Sequence, residues 1–527
     1  MRATGRVRQP VVSRCSSSAC GAPLHWTSHI AALVTNGKPN MNRSVIDAGG
    51  GHSSAPGVHT SRVHRRSQAV FLGLATLAAG CHDSSSGGGG GSANLTSVVQ
   101  QWNQFACDAS GIDHAGAKEQ LGPCRASRAI AIVHIALFEA WNAIDGGYTS
   151  YVNLPAAPAG SSVRAAIAQA CHDTLVALFP AQTASFDAAL VSELAKVSNG
   201  QAKTDGIATG AAAAQAILTL RTGDGSELPE PVYGVDYIPT PGPGKWSQDP
   251  ISMVPIALGA DWDQVTPFVM ASADQFRTPP PPDLTSAEYE FAYNEAKILG
   301  GDGITTPHSR SLDDTDMGIY WAYDGVPTLC APPRLYNQIL SQVALEQGVS
   351  GIEFARLLTI ANVAMADAGI GIWESKYFYE FWRPVTGIRE AGSDGNPNTI
   401  EDLTYSPLGA PATNSMGPNF TPPFPSYPSG HAGFGGALFQ VMRRYFGTDD
   451  IEFTFVSDEL NGVTLDNQGV ARGMRPRTFE SLSEAEEENG QSRIYLGIHW
   501  KFDKTESIVL GNQVGDLTFD TIYQLAP

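Results

Sequence analysis

Positive charge is scarce in this sequence. The 527 residues include 33 Lys and Arg against 52 Asp and Glu, which gives a formal net charge of −19. Residues 1–81 carry nine of the basic residues and one of the acidic ones, so the rest of the chain has a formal charge of −27. Nucleic acid binding needs clustered positive charge, so this composition argues against a nucleic acid partner. It also makes any local group of cations conspicuous.

Cysteine is rare as well, with seven in the chain, and no CxxC pair or Cys/His spacing is typical of a zinc site. A nucleophile elbow, a Gly-rich phosphate loop and an HExxH motif are also missing, which removes the commonest hydrolase and nucleotide-binding interpretations. Cys107 and Cys124 bracket a loop-like stretch and could form a disulfide in an oxidising compartment. Cys171 and Cys330 are predicted to be buried thiols.

Alternating strand patterns are few, and from about residue 95 the sequence predicts mostly helices. Ser127–Trp141 is apolar around most of its circumference, which predicts a buried helix. Pro- and Gly-rich stretches around 229–243 and 279–282 predict long loops. Further helices are predicted at Val163–Phe179, Gln201–Leu220, Ser286–Leu299, Arg334–Gln347, Ile352–Ile372, His431–Phe446 and Phe479–Leu496. We therefore expect an all-α fold built from helical bundles.

The apolar run near the N-terminus, Ala69–Ala79, is too short to span a bilayer. It follows two arginines and precedes Cys81, an order that is typical of a secretory signal. Leu77–Cys81 resembles a bacterial lipoprotein processing site, in which Cys81 would be lipidated and become the new N-terminus; a plain signal peptide with an incidental cysteine is the alternative. We expect an exported protein, either a periplasmic or outer-membrane lipoprotein anchored through Cys81 or a secreted one.

These patterns divide the chain into four parts. They are a disordered or mis-started leader (1–62), a signal peptide (63–81), a Ser/Gly linker (82–94) and a helical domain (95–527). The linker would act as the flexible tether that a lipid-anchored enzyme needs. Membrane contact is expected only through that anchor.

Lys376 and Arg383 are separated by an aromatic-rich run and followed by a proline. On one continuous helix they would project from the same face about 10 Å apart. Two such cations can bracket an oxyanion, with a planar fork from Arg383 and a point charge from Lys376. The alternative is a pair of solvated surface cations.

Ser429-Gly430-His431 opens a run of small residues that predicts the start of a helix. Ser429 is a plausible N-cap, and the N-terminus of the helix attracts anions. His431 in the first turn could exchange protons with a bound ligand. A capped helix with an incidental histidine is the alternative.

Arg493, His499 and Asp503 lie in a third fragment. His499 and Asp503 are four residues apart, so on a helix the carboxylate could accept a hydrogen bond from Nδ1 and leave Nε2 basic and oriented. An ordinary helical His–Asp pair is the alternative. The three fragments together are suited to binding a tetrahedral oxyanion and to chemistry on it.

The motifs Lys-x6-Arg-Pro, Pro-Ser-Gly-His and Ser-Arg-x5-His-x3-Asp, in that order, resemble the signature of vanadium-dependent haloperoxidases and the type 2 phosphatidic acid phosphatase superfamily. Sixty residues separate His431 from Ser492, which is longer than usual in the phosphatase branch. Trp373 and Phe424 stand where haloperoxidases place the aromatic residues of the halide pocket. Other segments also resemble that branch, so that the similarity runs from about residue 95 to the C-terminus: Ser127–Asn142, Ile319–Gly325, Pro332–Gln338 and Phe420–His431.

The resemblance implies vanadate as the cofactor and a role for each motif residue. His499 Nε2 would bond vanadium, Asp503 would orient His499, and His431 would deprotonate hydrogen peroxide. Asp313 would brace the arginines. The groups that would hold the vanadate oxygens are Lys376, Arg383, Arg493, the Ser429 hydroxyl and the Gly430 N–H.

The resemblance also implies two packed four-helix bundles, over about 95–300 and, with the catalytic residues, about 310–527. The expected reaction is oxidation of halide by hydrogen peroxide to hypohalous acid, with a small organic acceptor. Bromide is the expected halide; chloride stays open, because Phe424 resembles the chloroperoxidase type. A phosphatase at the same site is the alternative, with His499 attacking phosphorus and His431 protonating the leaving alcohol. A non-catalytic oxyanion-binding lipoprotein would be expected to lack one of these histidines.

Overall fold

The computed structural model describes the backbone from residue 90 and the side chains from residue 95 to the C-terminus. The expectations for the leader, the signal peptide, Cys81 and residues 82–89 of the linker lie outside the described residues. Helix α1 begins at Gly90, so the last five residues of the predicted linker are helical.

The described residues form thirteen helices and one small hairpin. The elements are α1 (Gly90–Ala115), α2 (Gly122–Asp145), α3 (Val163–Leu178), α4 (Thr183–Ala195), α5 (Gln201–Leu220), α6 (Ala287–Leu299), α7 (Leu312–Tyr320), α8 (Pro332–Glu346), α9 (Gly351–Tyr379), α10 (Pro384–Arg389), α11 (Gly430–Phe446), β1 (Phe453–Val456), β2 (Pro476–Phe479), α12 (Leu482–Tyr495) and α13 (Lys501–Thr521). The predicted all-α class is confirmed.

Two sets of four helices carry the described core. Helices α1, α2, α3 and α5 pack together, as do α9, α11, α12 and α13. Helix α9 also packs against α2, so one continuous apolar core joins the two sets. Among the described helices α9 is long and apolar enough to cross a membrane, but 94% of its apolar stretch is buried by the protein. A helix that is apolar on all sides is expected in such a central position.

Helix α6 was predicted within the N-terminal bundle, over about 95–300, but it packs against α10, α12 and α13. The reason is an aromatic cluster: Tyr289 and Tyr293 of α6 contact Trp500, and Tyr289 also stacks on Trp382. Aromatic pairs of this kind add to the free energy of area burial.

Glycines let α11 and α13 approach closely. A Cβ atom on Gly511 would lie 2.2 Å from the carbonyl oxygen of Gly433, and one on Gly433 would lie 2.6 Å from Ser507 Oγ. Larger residues at these positions would force the helices apart. This contact fixes the N-terminal end of α11 beside the start of α13.

The 60 residues between His431 and Ser492 contain most of α11 and α12 and, between these two helices, the hairpin. Strands β1 and β2 pair antiparallel, with Phe453 opposite Phe479. The Tyr320 hydroxyl donates to the carbonyl oxygen of Phe455 at 3.0 Å, which ties the hairpin to the end of α7.

The disulfide between Cys107 and Cys124 is not formed. Both cysteines are free and buried, and they lie inside α1 and α2 rather than at the two ends of a loop. Cys171 and Cys330 are buried free thiols, as predicted.

We expect alkylation of the denatured protein without reductant to label Cys107 and Cys124 completely. Cys171, also free, serves as the internal standard in the same peptide map. A cross-linked Cys107–Cys124 peptide in a non-reduced digest would contradict the structure.

Candidate active site

The three sequence fragments meet in one buried place. Lys376 lies in the last turn of α9, Arg493 in the last turn of α12, and His431 in the first turn of α11. None of the charged or hydroxyl-bearing residues in this set is more than 6% exposed. They are Lys376, Arg383, Ser429, His431, Arg493, His499 and Asp503.

Arg383 does not lie on the same helix as Lys376, so the prediction of one shared helical face is wrong. Helix α9 ends at Tyr379, Glu380 takes a left-handed conformation at φ +53°, and Arg383 is extended. Pro384 explains the break, because proline begins a helix readily and disfavours helical geometry in the residue before it. The guanidinium still reaches the site, where Nε donates to the carbonyl oxygen of Phe424 at 3.0 Å.

His499 is held between a carboxylate and a guanidinium. Its Nδ1 lies 2.7 Å from Asp503 Oδ2, and its Nε2 lies 2.9 Å from Arg383 Nη1. Arginine only donates, so Nε2 must be the acceptor and the proton must sit on Nδ1. The contact between His499 and Asp503 is therefore as predicted, although His499 precedes α13 instead of lying within it. Nε2 is therefore unprotonated, as a metal-bound imidazole nitrogen must be, and its lone pair accepts the Arg383 N–H in this structure.

Ser426 supports this pair and was not predicted as a site residue. Its hydroxyl donates to Asp503 Oδ2, which also accepts the Trp500 backbone N–H at 3.0 Å. The sequence could have indicated Ser426 as a site residue, because it lies in the Pro-rich segment Phe420–His431 on which the family resemblance partly rests. Burial raises the pKa of Asp503 to about 6, and these donors oppose the rise.

His431 is held from the other side of the site. Its Nε2 lies 2.5 Å from the carbonyl oxygen of Ala322, so the proton is on Nε2 and the Nδ1 lone pair remains available. Burial, together with Arg493 and Arg383, lowers the pKa of His431 well below its usual value. The imidazole is therefore neutral near pH 7 and can accept a proton.

Asp313 was predicted to brace the arginines, and the structure contradicts this. Its side chain is 70% exposed and pairs with Arg477 at 2.8 Å. Asp324 has the role instead, with Oδ1 2.5 Å from Arg493 Nη2 and 4.0 Å from His431 Nε2. The choice between two aspartates eleven residues apart depends on how the loop after α7 folds back over α12, which local sequence does not reveal.

Several buried donors in the site have no hydrogen-bond partner within the described residues. They are Nη2 of Arg383, Nε and Nη1 of Arg493, and Oγ of Ser429. Ser429 occupies the N-cap position of α11, as predicted, but its hydroxyl does not cap the helix. Leaving buried donors unpaired costs roughly 1–3 kcal/mol each and more for charged groups, so this arrangement favours a bound anion.

Trp373 and Phe424 lie together beside these groups, with ring centroids 4.8 Å apart. The Lys376 ammonium and the Arg383 guanidinium lie 5.1 and 5.0 Å from the Phe424 ring centroid. Both rings line a cavity of about 260 Å³ that also reaches His431, Arg493 and His499. The aromatic rings thus give the cationic end of the cavity an apolar wall.

Vanadium chloroperoxidase from Curvularia inaequalis is 31% identical to this chain over 486 residues, which are 77% of this chain and 79% of that protein. The chain belongs to the vanadium-dependent haloperoxidase family. The family model described as the VCPO second helical-bundle domain matches residues 356–526. That range contains all three motifs and the Trp373–Phe424 pair.

Solved haloperoxidase structures share the fold. A bacterial vanadium-dependent iodoperoxidase superposes with a TM-score of 0.65 at 23% identity, covering 81% of this chain and 97% of that one. An apo-type bacterial vanadium-dependent chloroperoxidase gives a TM-score of 0.57 at 17% identity, covering 76% and 94%.

The residues of this haloperoxidase fit vanadate. A tetrahedral oxyanion needs donors for its oxygens, and Arg383, Arg493 and Ser429 supply four buried donors without a partner. The backbone N–H of Gly430, at the first position of α11, has no intrahelical acceptor. His499 Nε2 supplies an uncharged, lone-pair-bearing nitrogen in contact with Arg383 Nη1, at 2.9 Å.

Lys376 was also predicted to hold the vanadate oxygens, but its ammonium has other partners in the structure. Its ammonium donates to three carbonyl oxygens, those of Pro425 at 2.9 Å, Ser426 at 2.8 Å and Pro428 at 2.5 Å. All three N–H donors are thus used on the loop before α11. The structure shows Lys376 as the group that holds this loop in place, and its direct contact with vanadate stays a prediction.

The lowered pKa of His431 has a consequence for stability. Below pH 6.5 the unfolded chain takes up a proton at this histidine more readily than the folded chain, so stability falls as the pH falls. We expect the Tm of vanadate-free wild type to decrease relative to that of His431→Gln between pH 7.5 and pH 5. Parallel Tm curves for the two proteins would show that His431 titrates normally.

Breaking the pair between Asp324 and Arg493 should destabilise the vanadate-free protein. Removing one partner of a buried ion pair typically costs about 3–5 kcal/mol, because the other charge stays buried and unpaired. We expect Asp324→Ala to lower the Tm by several degrees and added vanadate to recover part of the loss. Asp313→Ala is the matched control and should change the Tm little, since exposed pairs contribute about 0–1 kcal/mol. Equal effects of the two substitutions would contradict the assignment.

Proposed function

We propose that the protein oxidises halide ions with hydrogen peroxide to hypohalous acid, using vanadate held in the site described above. The observation that carries the proposal is the set of unpaired buried donors on Arg383, Arg493 and Ser429 around His499 Nε2. In the net reaction, halide, peroxide and one proton give hypohalous acid and water. Two electrons pass from halide to peroxide.

Bound vanadate would supply a Lewis acid that activates peroxide while the vanadium keeps its oxidation state. The protein provides fixed charge and proton transfer. Burial lowers the pKa of Arg383 to about 9, so it is still a cation at neutral pH. Arg383 and Arg493 therefore present fixed positive charge to the oxyanion from buried positions, which makes their electrostatic effect large.

The two histidines have different tasks. Asp503 keeps the proton of His499 on Nδ1, so Nε2 would serve as a neutral ligand to the bound anion. His431, uncharged because of its lowered pKa, accepts a proton from the incoming peroxide. The halide is placed against Trp373 and Phe424, close to the Arg383 guanidinium.

The test is a pair of assays on the same purified protein. With orthovanadate, bromide and peroxide, we expect bromination of a phenolic dye, and we expect none when vanadate is withheld. The alternative phosphatase is measured in parallel with a phosphate monoester. Ester hydrolysis that vanadate inhibits, with no bromination, would overturn the proposal.

The halide is proposed to be bromide, with chloride as a second substrate. The support is the apolar Phe424 ring in the halide pocket, which resembles the chloroperoxidase type. Rates with chloride and bromide at equal concentration measure the preference. A complete lack of chloride oxidation would remove chloride from the proposal.

We also propose that the protein is exported and anchored through a lipid on Cys81. The support is the basic, apolar and small-residue order that ends at this cysteine. Full-length protein expressed with a lipoprotein-processing pathway should enter the membrane fraction and incorporate labelled palmitate. Cys81→Ser should do neither; label on that variant would contradict the anchor.

A further inference from the structure

The cavity above the catalytic histidines is larger than peroxide and a halide ion require. Its volume is about 260 Å³. A water molecule takes up about 30 Å³ in the liquid, so the four oxygens of vanadate, peroxide and a halide ion would together account for roughly 180 Å³. The roughly 80 Å³ that remains is enough for part of an aromatic body. The rest of such a molecule can extend towards the exposed end of the cavity at Lys118.

The lining changes in character from the floor of the cavity to its mouth. The floor holds the buried polar groups of His431, Arg493 and His499. The mouth is formed by partly exposed apolar side chains, which are Leu121, Val254, Ile256, Phe420 and Pro423. A molecule in this cavity is thus in contact mostly with apolar side chains between the exposed end and the catalytic end. Such a lining favours an aromatic or aliphatic body.

One cation stands at the mouth. Lys118 lies in the turn between α1 and α2, is exposed and lines the cavity. Its ammonium makes no hydrogen bond or ion pair with any described residue. The neighbouring carboxylate of Asp113 is already used, since it accepts the backbone N–H groups of Glu119 and Gln120 at 2.8 and 2.9 Å.

The other charged side chains of the lining neutralise each other. Arg493 and Asp324 are paired at 2.5 Å on the floor. Lys118 is thus the unpaired charge of the lining, in a body with a formal charge of −27. A lone cation on an acidic protein attracts an anionic group to that point of the surface.

We propose that the cavity binds an organic acceptor with an aromatic body and a carboxylate, which is halogenated before hypohalous acid leaves the site. The carboxylate pairs with Lys118, and the ring lies between Leu121, Ile256 and Phe420. The inference rests on the proposed function, because that reaction supplies the hypohalous acid. A ring carbon bonds to the halogen as the oxygen–halogen bond breaks; the ring proton joins the departing hydroxide to give water.

Binding is tested first, without peroxide or halide. Calorimetry on the full-length protein compares 6-hydroxy-2-naphthoate with 2-naphthol, which lacks the carboxylate. We expect Lys118→Ala to weaken naphthoate binding about threefold to fivefold, the size of an exposed ion pair, and to leave naphthol within about twofold. Lys118→Arg should restore naphthoate binding. Lys196→Ala, which removes an exposed lysine outside the cavity lining that pairs with Glu193, is the control and should change neither affinity.

Ile256→Asp tests the apolar wall and should weaken both ligands by about tenfold or more, because it places a charge against the aromatic ring. A wild-type protein that binds neither ligand would overturn the proposal. Equal affinity of wild type and Lys118→Ala for naphthoate would overturn the carboxylate assignment.

Turnover gives the second test. Equal amounts of 6-hydroxy-2-naphthoate and 2-naphthol compete during bromination by the protein. The ratio of their brominated products is compared with the ratio that added hypobromous acid gives. We expect the protein to favour naphthoate relative to the free reagent, and Lys118→Ala to return the ratio to that of the reagent. Product ratios that equal those of hypobromous acid in wild type would overturn the proposal.

Triiodide formation from iodide, with no organic acceptor present, distinguishes failure of the proposed function from failure of the acceptor site. It should stay within about twofold in Lys118→Ala, since this residue lies outside the oxyanion site. If wild type forms no triiodide, the proposed function itself fails. If triiodide forms but neither naphthol binds, only the acceptor site fails.

Discussion

Replacing His499 with alanine is expected to abolish vanadate binding and halide oxidation together. His499 Nε2 is the lone-pair donor beside the unpaired N–H and O–H groups of Arg383, Arg493 and Ser429, and the imidazole proton is fixed on Nδ1 by Asp503 at 2.7 Å. Loss of a group that only orients a metal ligand costs about 10- to 100-fold in affinity. Loss of the ligand itself should cost more, so we expect vanadate affinity to fall by more than about 100-fold.

Equilibrium dialysis with vanadate and the bromination rate, measured on the same sample, check this expectation. His172→Ala is the control: this imidazole also pairs with carboxylates, Asp173 at 2.7 Å and Asp187 at 2.8 Å, but it has no guanidinium partner and lies outside the cavity lining. It should keep both properties. Wild-type vanadate affinity in His499→Ala would remove the basis of the site assignment.

Replacing His431 with alanine is expected to separate binding from turnover. The side chain lines the cavity and its hydrogen bond goes to the carbonyl oxygen of Ala322, not to the unpaired donors of Arg383, Arg493 and Ser429. General acid–base catalysis by one residue contributes about 10²- to 10⁴-fold. We expect kcat for bromination to fall by that factor while vanadate affinity stays within about tenfold.

This expectation is tested by comparing the change in kcat with the change in vanadate affinity. His431→Gln should resemble the alanine variant in kcat, because an amide can accept a hydrogen bond but cannot take up a proton. An unchanged kcat in both variants would show that another group deprotonates peroxide. A joint loss of affinity and kcat would instead make His431 a residue that holds the anion.

Much of the site could be predicted because its chemistry is concentrated in short motifs. The four-residue spacing of His499 and Asp503 and the helix start at Gly430 are local features, and the structure has both. The break before Arg383 was also within reach, since Pro384 disfavours a helical residue before it. What failed was the assumption that an aromatic-rich run continues as one helix.

Contacts between distant segments were harder to predict. Asp324 pairs with Arg493 across 169 positions of the sequence, and nothing in the local pattern distinguishes it from Asp313. The three carbonyl acceptors of Lys376 belong to a loop whose path depends on the whole site. Helix α13 has a weakly amphipathic sequence and is stabilised by close packing on α11, which only the tertiary structure reveals.

The central claim is that this site holds one vanadate and that the vanadate makes the protein a halide-oxidising peroxidase. The most direct test is a stoichiometric titration of metal-free protein with orthovanadate, in which bound vanadium per chain and the bromide oxidation rate are measured together. We predict that the rate rises linearly and stops at one vanadium per chain, and that phosphate competes. A rate that is independent of vanadium, or a plateau with bound vanadium but no oxidation, would contradict the account.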